Sequence, residues 1–468
     1  MAEERTTLRE LLLPALAGAG GRRGKAAEAA LRAAIRSGRL PARTRLPSSR
    51  DLAGQLGLAR GTVTAIYEQL AAEGYLLSRH GSGTTVAPLG DLDHRPAPAP
   101  VQHPTWVFDL RPGLPALAAF PRAEWLGAER DALAAMTDAE LGYPDPAGHS
   151  GLRTELAGYL GRVRAMPTSP EDIVITSGAA EALTLIAQVL YARGQRRVAV
   201  EDPSHREQAG LLAYHGLRPI GIPLDAHGVR VPELAVSDCS AVLVSAAHQF
   251  PLGMALSPDR RRALLDWAKA SDGVVLEDDY DAEHRYDRPA LGAIRALDPD
   301  RVLYLGSVSK VLVPALRIGW LVVPPAWRAE LVEAKRQHDL GCSALPQAAL
   351  AGLLRSGGYD RHLRRTRRLY RQRRDALLAA LRTALPDWRP VGIAAGLHVV
   401  VRLPEGTDDA ALQRTLARHG INAPALSGYA HSAAGRPFPG LVLGYGATPP
   451  DRLRAAVTTI ARLHQPVP

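Results

Sequence analysis

Between Pro88 and Pro104 five prolines (88, 96, 98, 100 and 104) fall within seventeen residues, and the run "RPAPAPVQHP" offers almost nothing to pack. Alternating Pro and Ala favours an extended polyproline II spacer, rising about 3.1 Å per residue. Such a segment forces the chain to build two separate cores. Residues 1–87 are expected as one domain, 88–105 as a Pro/Ala-rich linker and 106–468 as a second, larger domain. A length of 468 residues agrees with at least two domains.

Charge divides along the same line. The formal net charge is +10. Residues 1–87 hold 13 Lys/Arg against 7 Asp/Glu, a net of +6, and the remaining 381 residues hold 44 against 40, a net of +4. A small module carrying most of the excess has the electrostatic footprint of a nucleic-acid binder, whose affinity comes largely from phosphate neutralisation. With 46% hydrophobic and 22% charged residues the chain is globular. No stretch reaches the roughly 18 apolar residues that span a bilayer. The N-terminus lacks a signal pattern, and Cys239 and Cys342 are too few for a disulfide framework. The expected setting is the cytoplasm, with no membrane partner.

Within the basic module, "KAAEAALRAAIR" (25–36) is a strong helix former. "LPSSRDLAGQLG" places serines to cap a helix over Arg50 to Leu56, with Gly57 as its stop. "ARGTVTAIYEQLAAEG" then sets Val63, Ile66, Tyr67, Leu70 and Ala71 at a 3.6-residue period. Two short helices joined through a glycine turn predict a helix-turn-helix, with the N-terminal end of its second helix near base edges in the major groove. "YLLSRHGSGTTVA" follows as a two-stranded wing. "GAGGRRGKA" (18–26) is not a phosphate loop, because Ala19 and Ala26 stand where Gly and Ser/Thr are needed and no strand precedes it.

Residues 24–87 resemble the winged helix-turn-helix of GntR-type transcriptional regulators, nearly throughout "SGRLPARTRLPSSRDLAGQLGLARGTVTAIYEQLAAEGYL". The resemblance implies that Arg50, Arg60, Thr62 and Thr64 contact phosphates or bases of a double-stranded operator. It also implies that His80 and Gly81 carry the wing into the minor groove.

Beyond Trp106, apolar runs such as "EDIVITSG", "RRVAVEDP", "SAVLVSAAH", "GVVLEDDYD" and "RVLYLGSVSK" alternate with helical stretches. They read as buried parallel strands of an α/β domain, with ligand groups at their carboxyl ends. Lysine is scarce: only Lys25, Lys269, Lys310 and Lys335 accompany 53 arginines. Lys25 falls on the first helix of the basic module, and Lys269 and Lys335 in amphipathic helices. Lys310 follows a buried strand, beside Ser307, Ser309 and Arg317. A lysine held there can act as a nucleophile toward a carbonyl, while Ser307 and Arg317 hold a phosphate. Asp278 and Tyr280 end a second strand, suited to a protonated pyridine nitrogen and a phenolate oxygen. "ITSGAAEAL" opens a helix whose first amides suit a phosphate. Together these are the parts needed to bind pyridoxal phosphate. The acids Glu277, Asp278, Asp279 and Asp281 lack the pattern of a hard-cation site, so no metal is expected.

Residues 106–468 resemble a fold-type I aminotransferase domain, and the whole chain resembles a MocR/GabR-type regulator. The carrying stretches are "YPDPAGHSGLR", "DIVITSGAAEAL", "VEDPSH", "HQFPLG", "EDDYDAEHRY" and "GSVSKVLVPALRIG". The fold class implied is α/β, an N-terminal winged helix-turn-helix joined by a Pro-rich linker to a PLP-dependent fold-type I aminotransferase-like domain. The resemblance implies that Lys310 forms the internal aldimine, Asp278 pairs with the pyridine nitrogen and Tyr280 contacts O3′. Ser307, Arg317 and the backbone of Gly178, Ala179 and Ala180 would hold the phosphate. Tyr143 would reach the phosphate in a partner subunit, in a head-to-tail homodimer.

Three positions depart from that pattern. Ser204-His205 replaces the Gly-Tyr whose ring stacks on the cofactor, although the imidazole of His205 can still stack. Phe250 stands where aminotransferases carry an Asn. In "GLVLGYGA", Val442 replaces the Arg that binds a substrate carboxylate, removing a charge-assisted pair worth ~1.5–3 kcal/mol. The expectation is a DNA-binding transcriptional regulator that senses PLP itself or a small amine, in the manner of a regulator of vitamin B6 metabolism. An active aminotransferase with a fused DNA-binding module is the alternative. Finally, "RHLRRTRRLYRQRRD" (361–375) holds eight arginines on one amphipathic helix, either a solvated face or a secondary track for DNA phosphates.

Overall fold

The computed structural model describes residues 23–79, 83–88, 105–286, 292–433, 435 and 438–464, with Leu8, Leu12, Leu13 and Ala15 before them. The chain forms two compact units, Met1–His103 and Pro104–Pro468.

In the first unit α1 (Arg23–Arg36), α2 (Ser49–Leu56) and α3 (Arg60–Ala72) precede an antiparallel pair, β1 (Leu76–Arg79) and β2 (Gly83–Val86). Ser48 caps α2 by accepting from the Asp51 amide, and Gly57 ends it in the left-handed region at φ 63°, where glycine carries no Cβ penalty. The apolar period of α3 buries Val63, Ile66, Tyr67 and Leu70 against Leu31, Leu52 and Leu56. The Tyr67 hydroxyl donates to the Pro47 carbonyl at 2.9 Å, pinning α3 to the entry of α2. The first helix begins at Arg23, two residues earlier than its composition suggests. There the Arg23 guanidinium donates to Leu56 O at 2.9 Å and ties the helix start to the end of α2.

In chain order the second unit has β3 (Phe108–Asp109), α4 (Arg122–Ala135), α5 (Ser150–Arg164), β4 (Ile173–Thr176), α6 (Ala179–Ala192), β5 (Arg197–Asp202), α7 (Arg206–Tyr214), β6 (Arg218–Asp225), β7 (Gly228–Val229), α8 (Val231–Ala235), β8 (Ala241–Val244), α9 (Pro258–Ala270), β9 (Val274–Asp279), β10 (Val302–Ser307) and β11 (Gly319–Val322). There follow α10 (Pro325–Asp339), α11 (Ala344–Arg355), α12 (Gly358–Ala384), β12 (Arg389–Val391), β13 (His398–Arg402), α13 (Asp409–Arg418), β14 (Ile421–Asn422), β15 (Gly440–Gly444) and α14 (Pro450–His464).

Eight strands form one sheet in the order β4-β11-β10-β9-β8-β5-β6-β7. Strands β10, β9, β8, β5 and β6 run parallel, and β11 runs against both β10 and β4. The runs are continuously apolar because helices cover both faces. Val174, Leu303, Leu305 and Leu321 pack under α6 and α10. Ile173, Ile175, Tyr304 and Trp320 pack under α5 and α11. A second, three-stranded antiparallel sheet, β12-β13-β15, lies in a separate core with α12 and α14. Among the described residues no helix is long and apolar enough to cross a membrane.

Candidate functional site

The reversed strand β11 brings its beginning to the carboxyl edge of its neighbours, with Ser307 opposite Gly319. The segments after β4, β5, β8, β9 and β10 and the one before β11 therefore gather at one edge, where open α/β sheets bind ligands.

At β10 the chain turns through Ser307 and delivers Lys310, whose ammonium donates to the Gly113 carbonyl at 2.7 Å. Burial lowers its pKa below the usual lysine value, with the carboxylates of Asp281 and Asp278 pulling the other way. On β9 the acids alternate in direction and do not converge. Glu277 accepts from the Ile294 amide at 2.9 Å and the Arg295 amide at 3.1 Å. Asp279 pairs with Arg164 at 2.6 Å and accepts from Tyr304 at 2.5 Å. Asp278 accepts from Gln208 Nε2 at 2.7 Å. Burial raises the Asp278 pKa, while the Gln208 hydrogen bond, nearby His205 and Lys310 favour the charged form.

Tyr280 lies 3.1 Å from His248 Nδ1, which also contacts both Asp281 oxygens at 3.0 and 3.1 Å. His205 precedes α7 and stacks on Phe250, with ring centroids 4.6 Å apart and planes 22° apart. Phe250 in turn meets Tyr280, His398 and Tyr429 edge-on.

The head of α6 has no side-chain cap, and Gly178 precedes it at φ 91°. A Cβ on Gly178 would stand 3.2 Å from the Arg317 guanidinium, and one on Gly319 would stand 2.7 Å from Gly178 Cα. Gly178 is buried, Ala179 half-buried and Ala180 exposed. Two glycines thus let an open helix terminus and an arginine fork face the same space, an arrangement that takes a phosphate. Beneath it Glu181 accepts from the Ser177 amide at 2.5 Å and from Lys335 at 2.8 Å, and Lys335 also donates to Asp339 at 2.5 Å. Lys335 is wholly buried, so its helix carries this charge inward.

Val442 is fully buried beside Leu252, Val400 and Leu426. Its position on β15 is apolar core. Tyr143 is 90% exposed within the single chain. Gly113, Gln208 and His248 escaped the sequence analysis. Only Gln208 left a clear signal, lying three residues after His205 and hence on the same face of α7.

In the first unit Arg50 and Arg60 are exposed at the starts of α2 and α3. Thr64 bonds back to Arg60 O at 3.1 Å. Thr62 is half-buried, and a Cβ on Gly24 would meet its methyl at 2.8 Å. His80 and Gly81 lie outside the described residues.

A lysine amine eased toward its neutral form, a buried carboxylate, a phenol and a glycine-lined anion cradle fit pyridoxal phosphate. Joined to a winged helix-turn-helix, they define a regulator with a DNA-binding module and an aminotransferase-like domain. Residues 23–86 match the gntR family of bacterial regulatory proteins, and residues 114–437 match aminotransferase class I and II. The chain is 36% identical over 423 residues to the HTH-type pyridoxine biosynthesis transcriptional regulator PdxR of Corynebacterium glutamicum, covering 89% of this chain and 90% of that one. It is 32% identical over 453 residues to the probable rhizopine catabolism regulatory protein MocR of Rhizobium meliloti, covering 92% and 91%. The crystal structure of Pyrococcus horikoshii kynurenine aminotransferase superposes with a TM-score of 0.69 at 28% identity, over 76% of this chain and 90% of that one. The chain belongs to the MocR/GabR-type family of DNA-binding transcriptional regulators.

Proposed function

We propose that this regulator responds to pyridoxal phosphate itself, or to a small amine without an α-carboxylate, and thereby adjusts transcription of genes of vitamin B6 metabolism. The observation that carries this reading is Val442. A site that recognises an amino acid needs a cation for the carboxylate, and at the position where the family resemblance puts that cation the chain has a valine, buried among Leu252, Val400 and Leu426. The name of the Corynebacterium relative, a regulator of pyridoxine biosynthesis, supports the same direction.

When bound, pyridoxal phosphate supplies an aldehyde and an electron-withdrawing ring. Lys310 presents the amine, which burial holds closer to neutrality. Asp278 holds the ring nitrogen's proton, and Gln208 keeps that carboxylate oriented at 2.7 Å. Tyr280 donates toward the ring oxygen, and the His205 imidazole covers the ring. Ser307, Arg317 and the amides of Gly178, Ala179 and Ala180 take the phosphate. Exposed Tyr143 reaches the second subunit of a head-to-tail homodimer. Arg50, Arg60, Thr62, Thr64, His80 and Gly81 face operator DNA. Occupancy shifts DNA affinity only as far as the ligand distinguishes two arrangements of the protein.

The test is a titration of the full-length chain and of Lys310→Ala with pyridoxal phosphate, followed by visible absorbance and by operator binding. The wild type is expected to gain a protein-bound absorbance band and to change its DNA affinity, and the variant to do neither. Steady transamination of ordinary amino acids, with DNA binding indifferent to the cofactor, would overturn the sensor and favour the enzyme.

A further inference from the structure

Helix α12 carries an anomaly of charge that the cofactor site does not use. From Arg361 to Asp375 it holds eight arginines and one aspartate, a net of +7. The rest of residues 88–468 hold 36 basic and 39 acidic side chains, a net of −3. The stripe is thus a local positive field on an otherwise mildly acidic body.

The inward face explains only part of it. Tyr359, His362, Thr366, Tyr370 and Leu377 are buried. Arg365 donates to Ala119 O at 3.0 Å, and Arg367, Arg371 and Arg373 donate to the carbonyls of Arg285, Tyr286 and Gly446. Arg364 and Arg368 are exposed and have no hydrogen-bonding or ionic partner among the described residues. They line two adjoining surface cavities of about 530 and 460 Å³, which also share Gln372. Asp375 is the sole acid on either wall.

A helix face that merely meets water gains from acids four residues from its arginines, and like charges at that spacing cost about 0.2–0.5 kcal/mol per pair. Here Arg361–Arg365, Arg364–Arg368 and Arg367–Arg371 all repel, so an external anion is the missing counter-charge. From Arg361 to Arg371 the helix rises about 15 Å, over which a duplex presents about nine phosphates. Planar guanidinium forks match phosphate oxygens, and Leu369 is the sole apolar side chain lining either cavity.

We propose that the α12 stripe is a second, sequence-independent contact for duplex DNA, made through Arg364 and Arg368 to backbone phosphates outside the site read by the helix-turn-helix. The inference rests on the chain being a DNA-binding regulator.

The experiment uses the full-length protein and a duplex that the wild type selects from a random-sequence pool. This duplex is prepared both as the bare site and flanked by several helical turns. For the double variant Arg364→Gln/Arg368→Gln, the log–log salt slope on the long duplex should be shallower by about 1.8, from two lost phosphates at about 0.9 each. Between 50 and 200 mM salt the wild-type advantage then shrinks about 12-fold. The bare site should bind both proteins within a factor of about two, with unaltered melting and cofactor absorbance. An unchanged slope on the long duplex, or an equal loss on both duplexes, overturns the stripe. A wild type that selects no duplex overturns the DNA reading itself, and Arg50→Ala, which should weaken both lengths alike, separates the two failures.

Discussion

Gly178 and Arg317 approach so closely that a β-carbon on the glycine would stand 3.2 Å from the guanidinium. The glycine also sits at φ 91°, ψ 177°, a conformation essentially closed to residues with a Cβ and costing them of order 1–3 kcal/mol. Both constraints act at the head of α6, where the phosphate cradle is open. Gly178→Ala is therefore expected to weaken pyridoxal phosphate binding by about tenfold or more, since ~1.4 kcal/mol is a factor of ten. Absorbance titration of the purified variant measures this, and an unchanged affinity would contradict the cradle.

The same cradle rests on a buried ion pair. Burial works to lower the pKa of Lys335, but the hydrogen bonds it donates to Asp339 and Glu181 outweigh it and hold the ammonium charged. Replacing Lys335 with Met leaves Glu181 buried without its counter-ion, a situation that costs about 3–5 kcal/mol. Glu181 also fixes the Ser177 amide at 2.5 Å, so the variant should lose both melting temperature and cofactor affinity. A variant that melts lower but binds the cofactor with wild-type affinity would separate Lys335 from the site.

These two relationships mark where sequence was and was not sufficient. Lys310, Asp278 and Gly178 were legible because each follows a four- to six-residue apolar run, and a buried strand must end somewhere that polar groups converge. The helix-turn-helix was legible through local rules, a serine cap at Ser48 and a glycine stop at Gly57. Lys335 was not, because its partners Glu181 and Asp339 meet only in the folded chain, one of them 154 residues away. The reversed strand β11 was also missed. "GWLV" is as apolar as its parallel neighbours, and periodicity carries no information about direction. His248 acts through a contact 32 residues distant, beyond the reach of any spacing rule, and the spacing of Gln208 from His205 gives its helix face but not its partner Asp278, 70 residues away.

Arg164 and Asp279 form a pair with both side chains almost wholly buried, 2.6 Å apart, and the Tyr304 hydroxyl adds a bond at 2.5 Å. Asp279 adjoins Asp278 in sequence but serves the other side of the strand. Arg164→Met should destabilise the domain by about 3–5 kcal/mol, because the carboxylate stays buried without its cation. Arg164→Met/Asp279→Leu should recover much of that loss, since the carboxylate paired directly with Arg164 is removed together with it. Chemical denaturation of the three proteins checks the ordering, and a double variant less stable than Arg164→Met would refute it.

His398 offers a test by pH. Burial, reinforced by His248 and Lys310, lowers its pKa to about 4 against Asp281 and the Pro251 carbonyl, which pull it up. Its ring lies 5.2 Å from that of His248, and its Nε2 is 3.0 Å from Pro251 O. A histidine held neutral binds fewer protons than in the unfolded chain between pH 4 and about 6.5, so its contribution to stability grows as pH rises through that window and is lost as pH falls. Glu201 and Glu283, raised by burial to about 7, act with the opposite sign across nearly the same range and flatten the wild-type profile. The contribution of His398 is isolated by subtracting the profile of His398→Gln, in which the other groups remain. The stability difference, wild type minus variant, should rise by about 3 kcal/mol from pH 4 to 6.5 and then level off. Denaturant melts at half-unit intervals measure it, and a flat difference would show that His398 titrates as it does in water.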